Sequence, residues 1–583
     1  MSSFAFKIKS NSMKNTLPSA AATFAFFALI TCTANLFAQP GARIFPPEEY
    51  SETPSDPYIH VPREGQATSP AFHFTSSQFS IHQVNVNDAG LNILGDAANE
   101  PSIAIDPNNP LRMAIGWRQF DTIASNFRQA GYGYTLDGGE NWTFPGVIQP
   151  GIFRSDPVLD FDLDGNFFYN SLTVTDNYYC DVFKTAGTEL DEGIPAFGGD
   201  KQWMAVDRTG GAGSGNVYAF WKPGISSCPE GWFTRSLDNG ASFEECIEEP
   251  GYGTRGTLAV SPEGELYACG GVGGGFMVSK SSNAGVAGEE LVWDFSVPVD
   301  LGGDLALYAG PNPTGMLGQA WIQVDHSGGE HHGDIYLLAS VVNFSNGDPA
   351  DVMFAKSTDG GLTWSEPVRI NTDESEENWQ WFGTMSVAPN GRIDVVWLDT
   401  RDDPGGYDSK LFYSFSLDGG STWSENEALS EAFDPHLGFP QQQKIGDYYH
   451  SISDNEGAHL AWAATFNGEE DIFYSFIKPA LPSAVGDKKV ASVAALRTAP
   501  NPFRERTRIE YSIENTTRVR LEIVDLHGRV VLVLEDGEKS AGSHSASWDG
   551  SDASGEKVPG GVYACKWAVD EMGAYSCRIV FLR

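Results

Sequence analysis

Short apolar runs bounded by Gly, Asn, Asp and Pro follow one another along most of the chain, and this pattern predicts many short strands joined by tight turns. Seven segments share an apolar strand, a turn and a second apolar strand, at a spacing of roughly 45–66 residues. A spacing of this size is enough for a four-stranded blade. The segments begin at Glu100, Asp156, Lys201, Arg255, Gln319, Phe382 and Tyr448.

A second turn, in phase with this repeat, has the more specific pattern Ser/Thr-X-Asp-Gly/Asn-Gly-X-X-Trp/Phe. In this pattern the Asp can accept hydrogen bonds from the turn backbone, Gly supplies a positive φ, and the aromatic ring packs between neighbouring units. The pattern occurs four times, with its Asp and aromatic residues at Asp137 and Trp142, Asp238 and Phe243, Asp359 and Trp364, and Asp418 and Trp423.

These turns resemble the Asp-box (BNR) repeats of the sialidase-like β-propeller superfamily, over roughly residues 95–480. The resemblance implies an all-β propeller whose Asp boxes lie away from the active-site face. Sialidases of this superfamily have six blades, whereas seven units are counted here. We therefore expect seven blades, with six and one degenerate unit as the alternative. The stretch from Phe79 to Val86 is predicted to supply a strand that closes the last blade.

Charge narrows the classes of partner. The 583 residues include 37 Lys and Arg against 77 Asp and Glu, a formal charge of −40. A nucleic-acid partner is excluded because phosphate binding needs a surplus of Lys and Arg. An anionic membrane surface is disfavoured for the same reason.

The N-terminus predicts export. Residues 1–38 carry Lys7, Lys9 and Lys14 before an apolar run and a small-residue cleavage point at Ala38, which is typical of a secretory signal peptide. Residues 39–94 then form a leader that contains the predicted closing strand, and residues 95–478 form the propeller. No later segment approaches the roughly 20 apolar residues of a membrane-spanning helix, so no transmembrane segment is expected.

The C-terminal part differs from the propeller in charge. A linker over residues 479–499 precedes residues 500–583, which hold 11 basic and 13 acidic side chains, so the acidic excess lies upstream. Short alternating strands fit an Ig-like sandwich. This region resembles the C-terminal sorting domain of type IX secretion substrates, which is similar to the FlgD-type module. The resemblance implies the type IX machinery as a partner, and release or attachment at the outer-membrane cell surface. A generic β accessory domain is the alternative.

Six cysteines remain after the signal peptide, an even number that suits an oxidising compartment. Cys228 and Cys246 bracket a predicted hairpin and are candidates to close it, and Cys565 and Cys577 lie in two successive predicted strands. Cys180 and Cys269 would pair only by elimination. Metal binding by cysteine is the weaker interpretation because no CxxC spacing occurs.

Most of the candidate functional residues are predicted to lie at one end of the ring. The first two strands of a blade are antiparallel, so the residue that opens each unit and the residues that end its second strand should share a face. The second-strand ends add Arg118, Lys222, and Asp399 to Arg401, and Asp447 precedes Tyr448.

The resemblance to sialidases suggests roles for these residues. Sialidases bind the substrate carboxylate with three arginines, since guanidinium forks match it, and attack with a tyrosine that a glutamate activates. By position, the catalytic residues would be Tyr448 as nucleophile, Glu100 as its partner and Asp156 as acid/base. Arg118, Arg255 and Arg401 would be the three arginines, Lys201 and Lys222 would add positive charge, and Trp379 and Trp381, in a predicted exposed loop, are candidates for stacking on sugar.

Three other interpretations of this face stand beside hydrolysis. The charged residues could pair with one another for structure alone, or bind glycan without chemistry. A polysaccharide lyase would use Tyr448 or His450 as base with Arg255 to neutralise charge. An extracellular carbohydrate or glycoprotein is the expected partner in each functional case. No cofactor or metal is assigned, and calcium at the acidic turn from Asp160 to Asp164 is the alternative that the sequence leaves open.

Overall fold

The structure is a computed structural model that describes residues 56–224, 226–228, 230–251, 254–480, 494–513, 516–525, 529–569 and 573–583. These residues form strands and no helix, so the described part of the chain holds no helix able to span a membrane. The chain divides into two compact units, of which the first ends at Lys478 and the second begins at Pro479. The predicted signal peptide and most of the predicted linker lie outside the described residues.

The first unit begins with four short strands. They are β1 (Thr68–Pro70), β2 (His73–Thr75), β3 (Phe79–Gln83) and β4 (Leu91–Ile93). β1 pairs with β4, and β2 pairs with β3.

Seven further sheets follow in chain order, and we number them sheets 1 to 7. Sheet 1 consists of β5 (Ala97–Ile105), β6 (Met113–Phe120), β7 (Gln129–Thr135) and β8 (Thr143–Ile148). Sheet 2 consists of β9 (Ser155–Phe161), β10 (Phe167–Val174), β11 (Tyr178–Thr185) and β12 (Ile194–Pro195). Sheet 3 consists of β13 (Trp203–Val206), β14 (Val217–Phe220) and β15 (Phe233–Ser236). Sheet 4 consists of β16 (Leu258–Val260), β17 (Leu266–Val272), β18 (Gly275–Ser281) and β19 (Phe295–Val299).

Sheet 5 carries an inserted hairpin. Its strands are β20 (Gly303–Leu305), β23 (Trp321–Val324), β24 (Ile335–Asn343), β25 (Asp351–Ser357) and β26 (Val368–Arg369), and the hairpin is β21 (Leu307–Ala309) with β22 (Asn312–Met316). Sheet 6 consists of β27 (Gln380–Val387), β28 (Ile393–Asp399), β29 (Lys410–Ser416) and β30 (Glu427–Ala428). Sheet 7 consists of β31 (His450–Ser453), β32 (Ala458–Ala464) and β33 (Asp471–Ile477), with β3 and β2 added beyond β33.

The first strands of the seven sheets are arranged in a ring. β5 contacts β9, and the contacts continue through β13, β16, β23, β27 and β31 back to β5. The strand from the N-terminal segment pairs along its whole length with the last strand of the unit, from Phe79 opposite Ile477 to Gln83 opposite Phe473. Sheets arranged radially around a central axis define a β-propeller. The all-β propeller predicted from the sequence is therefore confirmed.

Four of the turns that join strands of the sheets or follow their last strand share one hydrogen-bond pattern. In the first, the Thr135 hydroxyl donates to Asp137 Oδ1 (2.7 Å), the backbone N–H of Asn141 donates to the same oxygen (3.0 Å), and Trp142 Nε1 donates to the Gly139 carbonyl (3.1 Å). At the other three turns a serine hydroxyl likewise donates to the aspartate Oδ1, and a backbone N–H donates to the same oxygen, around Asp238, Asp359 and Asp418. These turns hold the rings of Trp142, Phe243, Trp364 and Trp423 against the sheets.

In two of these turns the aromatic residue packs across the boundary between two sheets. Trp142 of sheet 1 lies 5.5 Å from Tyr474 of sheet 7, and Trp423 of sheet 6 lies 5.1 Å from Phe354 of sheet 5. The second glycine of each of these two turns, Gly139 or Gly420, approaches the same neighbour as the aromatic residue: a Cβ on Gly139 (φ +94°) would fall against the Tyr474 ring. These glycines therefore serve both the turn conformation and the close approach of adjacent sheets.

Sheet 3 has a disulfide where the other sheets have a fourth strand. Cys246 lies in the segment after β15, which forms only an isolated bridge between Phe233 and Ile247. The disulfide joins Cys246 to Cys228, as the sequence predicted. A covalent link thus holds an edge that lacks a full ladder of backbone hydrogen bonds.

The other cysteines divide into two cases. Cys180 in β11 and Cys269 in β17 are buried and unbonded, so their pairing by elimination is wrong: they lie in sheets 2 and 4. Cys565 faces Cys577 in the register of two adjacent C-terminal strands. The Cys577 side chain lies outside the described residues, and this pair stays a prediction.

The second unit consists of two antiparallel sheets. Its strands are β34 (Ala494–Ala499), β35 (Thr507–Ile513), β36 (Thr517–Val524), β37 (Val530–Lys539), β38 (Gly542–Trp548), β39 (Gly561–Val569) and β40 (Gly573–Phe581). One sheet has the order β34-β35-β38 and the other β37-β36-β39-β40. Trp548 is fully buried, with Phe503 and Phe581 packed around it. This is the sandwich that the sequence predicted.

Candidate functional site

The residues that open the seven units share an unusual backbone conformation. Five of them have a positive φ: Glu100 (52°), Asp156 (47°), Lys201 (57°), Arg255 (60°) and Phe382 (54°). A positive φ costs a residue with a Cβ on the order of 1 kcal/mol or more. Such conformations persist only where the surrounding structure holds them, and they are concentrated at functional sites. The irregularity recurs at one end of the ring, which we call the ring entrance.

Two buried cations meet the carboxylate of Glu100 at the ring entrance. Arg118 Nε lies 3.0 Å from Glu100 Oε2, and Lys444 Nζ lies 3.2 Å from Oε1, with all three side chains fully buried. Burial raises the pKa of Glu100, whereas Arg118 and Lys444 counteract that shift. The sequence assigned Glu100 and Arg118 to this end of the ring but missed Lys444. Its only sequence signal was its position three residues before Asp447.

The pairing continues from Lys444 around the ring. Lys444 Nζ lies 2.6 Å from Asp447 Oδ2, and Lys201 Nζ contacts the same oxygen and lies 3.7 Å from Asp156 Oδ2. Lys222 Nζ lies 3.6 Å from Asp200, beside Lys201. Removing one partner from a buried ion pair leaves a charge without compensation, which costs about 3–5 kcal/mol. The ring entrance is therefore a continuous ionic network, which we call the entrance network.

A cap covers part of this network. The hairpin of β21 and β22 binds the loop before β31: Asn312 Nδ2 donates to the Gly446 carbonyl (2.7 Å), and its Oδ1 accepts the Ile445 N–H (3.0 Å). The Met316 N–H donates to Asp447 Oδ1 (2.8 Å). Lys444 lies in the same loop and has no exposed surface. The hairpin insertion thus fixes the loop that brings Lys444 to Glu100.

Tyr448, the predicted nucleophile, is engaged elsewhere. Its side chain is buried, and its hydroxyl donates a hydrogen bond to the Pro157 carbonyl (2.7 Å). Burial, together with Glu100 and Asp156, raises the pKa of Tyr448 well above its usual value. Among the described residues no hydrogen bond joins Tyr448 to Glu100. The contact that would activate a tyrosine nucleophile is thus missing from this geometry, and Asp156 lies beside Lys201.

The three predicted substrate arginines have different surroundings. Arg118 is paired with Glu100, as described. Arg401 Nη2 lies 2.6 Å from Asp399 Oδ2, and its guanidinium stacks over Phe412 at 4.3 Å. Arg255 is half-buried and its hydrogen bond is to the neighbouring Thr254 hydroxyl (3.3 Å). Arg255 is the one of the three that lacks a carboxylate partner among the described residues.

A second unsatisfied group lies next to Arg255. The Ala320 N–H donates to the Arg255 carbonyl (2.9 Å), which places Gln319, the opening residue of the next unit, beside it. Gln319 is buried with its Nε2 unpaired, and Arg255 Nε is likewise buried without an acceptor. Two donors without acceptors at neighbouring positions can satisfy an oxygen ligand or water.

The two tryptophans proposed for stacking differ from the prediction. Trp381 lies in β27 with no exposed surface, and its Nε1 donates to the Ser409 hydroxyl (3.1 Å). Its assignment to an exposed loop is wrong, because the strand begins at Gln380, two residues before Phe382, where the sequence predicted that the unit opens. Trp379 is half-buried and packs beneath Gly310 in the turn of the inserted hairpin.

The described residues contain no group of three or more His, Cys, Asp or Glu arranged to hold a metal ion. In the acidic turn considered for calcium, Asp160 pairs with Arg208 and accepts the Val206 N–H, while Asp162 accepts bonds from the backbone and side chain of Asn166. These carboxylates already have partners within the protein. Calcium at this turn gains no support from the geometry.

A closed ring of sheets with an ionic network at one end makes the first unit a β-propeller, joined in one chain to an Ig-like sandwich. Residues 505–571, within the sandwich, match the family model of the FlgD Ig-like domain. A search of curated proteins found no match.

Several solved structures resemble the chain at low identity. A fungal alcohol oxidase with copper shares 10% identity over 88% of this chain and all of its own, with a TM-score of 0.44. A polysaccharide lyase described as an ulvan lyase shares 11% over 66% and 94%, with a TM-score of 0.37. A Hadza microbial sialidase shares 14% over 66% of each chain, with a TM-score of 0.33. The propeller assignment follows from the ring of sheets itself.

Proposed function

We propose that this chain is an exported β-propeller that binds acidic carbohydrate or glycoprotein outside the cell, without the tyrosine-dependent hydrolysis that the sequence suggested. The observation that carries the proposal is the state of the ring entrance. Its predicted catalytic residues are buried and bound to one another or to the backbone, whereas Arg255 has no carboxylate partner among the described residues and its buried Nε has no acceptor. A binding module needs a donor that is available to a ligand, as at Arg255, and does not need free catalytic residues.

The charge around Arg255 favours an anionic group. Lys222 is partly exposed on the same end of the ring, with Asp200 as its 3.6 Å partner. A carboxylate at Arg255 would form charge-assisted hydrogen bonds, which are stronger than neutral ones. The excess acidic charge of the protein would also repel acidic polymers elsewhere on its surface. An acidic sugar therefore has its most favourable contact here.

The two ends of the chain support export. The signal-peptide pattern of residues 1–38 and the family match of residues 505–571 fit a substrate of type IX secretion. Deleting residues 500–583 in a host with that machinery should leave the propeller inside the cell envelope. Normal release of the truncated protein would contradict this route.

Binding is tested with the purified chain from residue 39 on an array of sialosides, uronate polysaccharides and neutral glycans. We expect selective binding of acidic glycans that weakens with salt. Arg255→Ala should weaken it about 10–150-fold, the equivalent of 1.5–3 kcal/mol for a charged hydrogen bond. Arg255→Lys should retain part of the affinity, and Arg529→Ala in the second unit serves as the control. Equal binding by Arg255→Ala, or sugar release abolished by Tyr448→Phe, would contradict the proposal.

A further inference from the structure

A cavity of about 360 Å³ lies inside the ring of first strands. Its walls include Trp203, Trp321 and His450 from the first strands of sheets 3, 5 and 7. Pro107 and Pro389 also line it, and they follow first strands that Glu100 and Phe382 open. The cavity therefore lies toward the end of the ring opposite the entrance network.

Three flat rings form one wall of this cavity. Trp203 meets Trp321 nearly at right angles (centroids 5.1 Å apart), and the His450 ring stacks on Trp321 at 5.6 Å with 19° between the planes. Trp203 also meets the edge of His450 at 5.3 Å. Each ring is held by the other two, so the wall is rigid and apolar.

Two hydrogen-bond donors at this wall have no acceptor. The Trp321 side chain is almost completely buried, and its Nε1 has no hydrogen-bond partner. The His450 Nδ1 lies 2.9 Å from the Ser102 hydroxyl and accepts the Ile103 N–H (3.3 Å), and an Nδ1 that accepts leaves the proton of the neutral ring on Nε2. No described residue accepts that proton. A buried donor left unpaired costs about 1–3 kcal/mol, which a ligand oxygen would recover.

Hydroxyl groups line the opposite part of the cavity. Ser386 Oγ lies 2.6 Å from Ser453 Oγ and 3.1 Å from Ser451 Oγ. Ser453 in turn donates to Asp394 Oδ2 (2.6 Å), which fixes the direction of the chain of hydroxyls. A ligand hydroxyl can donate to or accept from this chain.

Charged groups at the cavity are already neutralised. Asp160 pairs with Arg208, and Asp160 also accepts the Val206 N–H (2.7 Å). Burial and Arg208 lower the pKa of His450 to about 3, so the imidazole is neutral at physiological pH. Burial and Arg208, which disfavour a charge on His450, would also disfavour a bound cation, and the two N–H donors would repel it. An anion would find no unpaired positive charge. A neutral molecule suits the site best.

We propose that the cavity binds one neutral sugar ring, either a free monosaccharide or a terminal residue of a glycan. An apolar face of the sugar would lie on the tryptophan wall, and its oxygens would accept from Trp321 and His450. Small-molecule pockets span roughly 300–1,000 Å³, so a cavity of about 360 Å³ is sized for one ring and not for an oligosaccharide. This site is separate from Arg255 and takes a ligand of different charge.

Saturation-transfer NMR on the purified chain from residue 39 tests this proposal, with glucose, galactose, N-acetylglucosamine and their methyl glycosides as probes. Trp321→Phe removes the unpaired N–H and keeps a ring. It should weaken binding of the preferred sugar about tenfold, the loss of one hydrogen bond, and, like other large-to-small substitutions of a buried ring, it should lower stability. Trp462→Phe is the matched control, because its Nε1 donates to Ser475 (2.9 Å) and its side chain does not line the cavity. It should lower stability and leave sugar binding unchanged.

Selective saturation transfer to one neutral sugar, lost in Trp321→Phe and kept in Trp462→Phe and Arg255→Ala, would support the proposal. The absence of transfer to every probe at 10 mM (on the order of 10,000-fold above a micromolar dissociation constant) would overturn it, as would binding that Trp321→Phe does not weaken. Near-UV circular dichroism of each variant shows that the fold is intact. Loss of acidic-glycan binding in Arg255→Ala alone concerns the ring entrance and leaves this site unaffected.

Discussion

The second glycine of the turn at Asp137 offers a direct measurement of how tightly the first and last sheets meet. Gly139 has a φ of +94°, and a Cβ built on it would fall against the Tyr474 ring, 2.6 Å from Cδ1. Tyr474 cannot easily withdraw, because its hydroxyl is hydrogen-bonded to His459 (2.8 Å) and its ring packs on Trp142. Gly139→Ala should therefore strain both the turn and the boundary between sheets 1 and 7.

The adjacent glycine separates these two effects. Gly138 has a similar φ of +82°, and its added Cβ would meet only the flexible end of the exposed Leu111, at 3.2 Å. Gly138→Ala should lower the free energy of unfolding by about 1–2 kcal/mol, for the positive φ alone. Gly139→Ala should cost that amount and a further 1–3 kcal/mol for overpacking against Tyr474.

Urea unfolding followed by near-UV circular dichroism gives both values. We expect Gly139→Ala to lower the free energy of unfolding by 1–3 kcal/mol more than Gly138→Ala does. A double variant that also replaces Tyr474 with Ala should remove the excess, since the obstructing ring is gone. Equal destabilisation by the two single variants would refute the claim that the turn glycine is required by the neighbouring sheet.

Three other perturbations probe the entrance network, the buried carboxyl group of Asp471 in β33 and the disulfide. Lys444→Met should lower the free energy of unfolding by about 3–5 kcal/mol, because it takes one of two counter-ions from each of the buried carboxylates of Glu100 and Asp447. Lys410→Met at an exposed ion pair should lower it by under about 1 kcal/mol, and urea unfolding compares the two. Burial raises the pKa of Asp471 to about 7 in the folded protein, whereas its pKa in the unfolded chain is about 4. The stabilisation from this protonated carboxyl is therefore fully present below pH 4 and is lost as the pH rises through 7. Unfolding measured from pH 5 to 8 should show a loss of roughly 2–3 kcal/mol that Asp471→Asn reduces. Replacing Cys228 and Cys246, 18 residues apart, with Ser should cost about 3 kcal/mol, and reductant should destabilise the parent chain but not this variant.

Local patterns made the fold predictable. The turns at Asp137 and Asp418 follow from residues within six positions of one another, and the structure builds both with the same hydrogen bonds. The disulfide could also be predicted from the sequence, because Cys228 and Cys246 lie on either side of one strand. In each case the residues that interact are close in sequence, so the pattern itself contains the contact.

The site was only partly predictable. Aligning the units brought Glu100 and Arg118 to one end of the ring, where they do meet. Lys444 could not be found in this way, since it reaches Glu100 from a loop held by Asn312, 133 residues before the Ile445 that it binds. Nor does the sequence show that Tyr448 donates to a backbone carbonyl 291 residues away. Function at this face is decided by contacts between distant segments.

The pairing of β3 with β33 has a consequence for how the protein is assembled. It joins Phe79 to Ile477, which are 398 positions apart in the chain (477 − 79), while the other strands of these sheets pair with near neighbours in sequence. Bringing such distant segments together carries the largest entropic cost and is slow. Six sheets can therefore form as the chain emerges, but the circle is completed in a single late step. Proteolysis between β3 and sheet 1 would open the circle at one seam while leaving the local sheets intact.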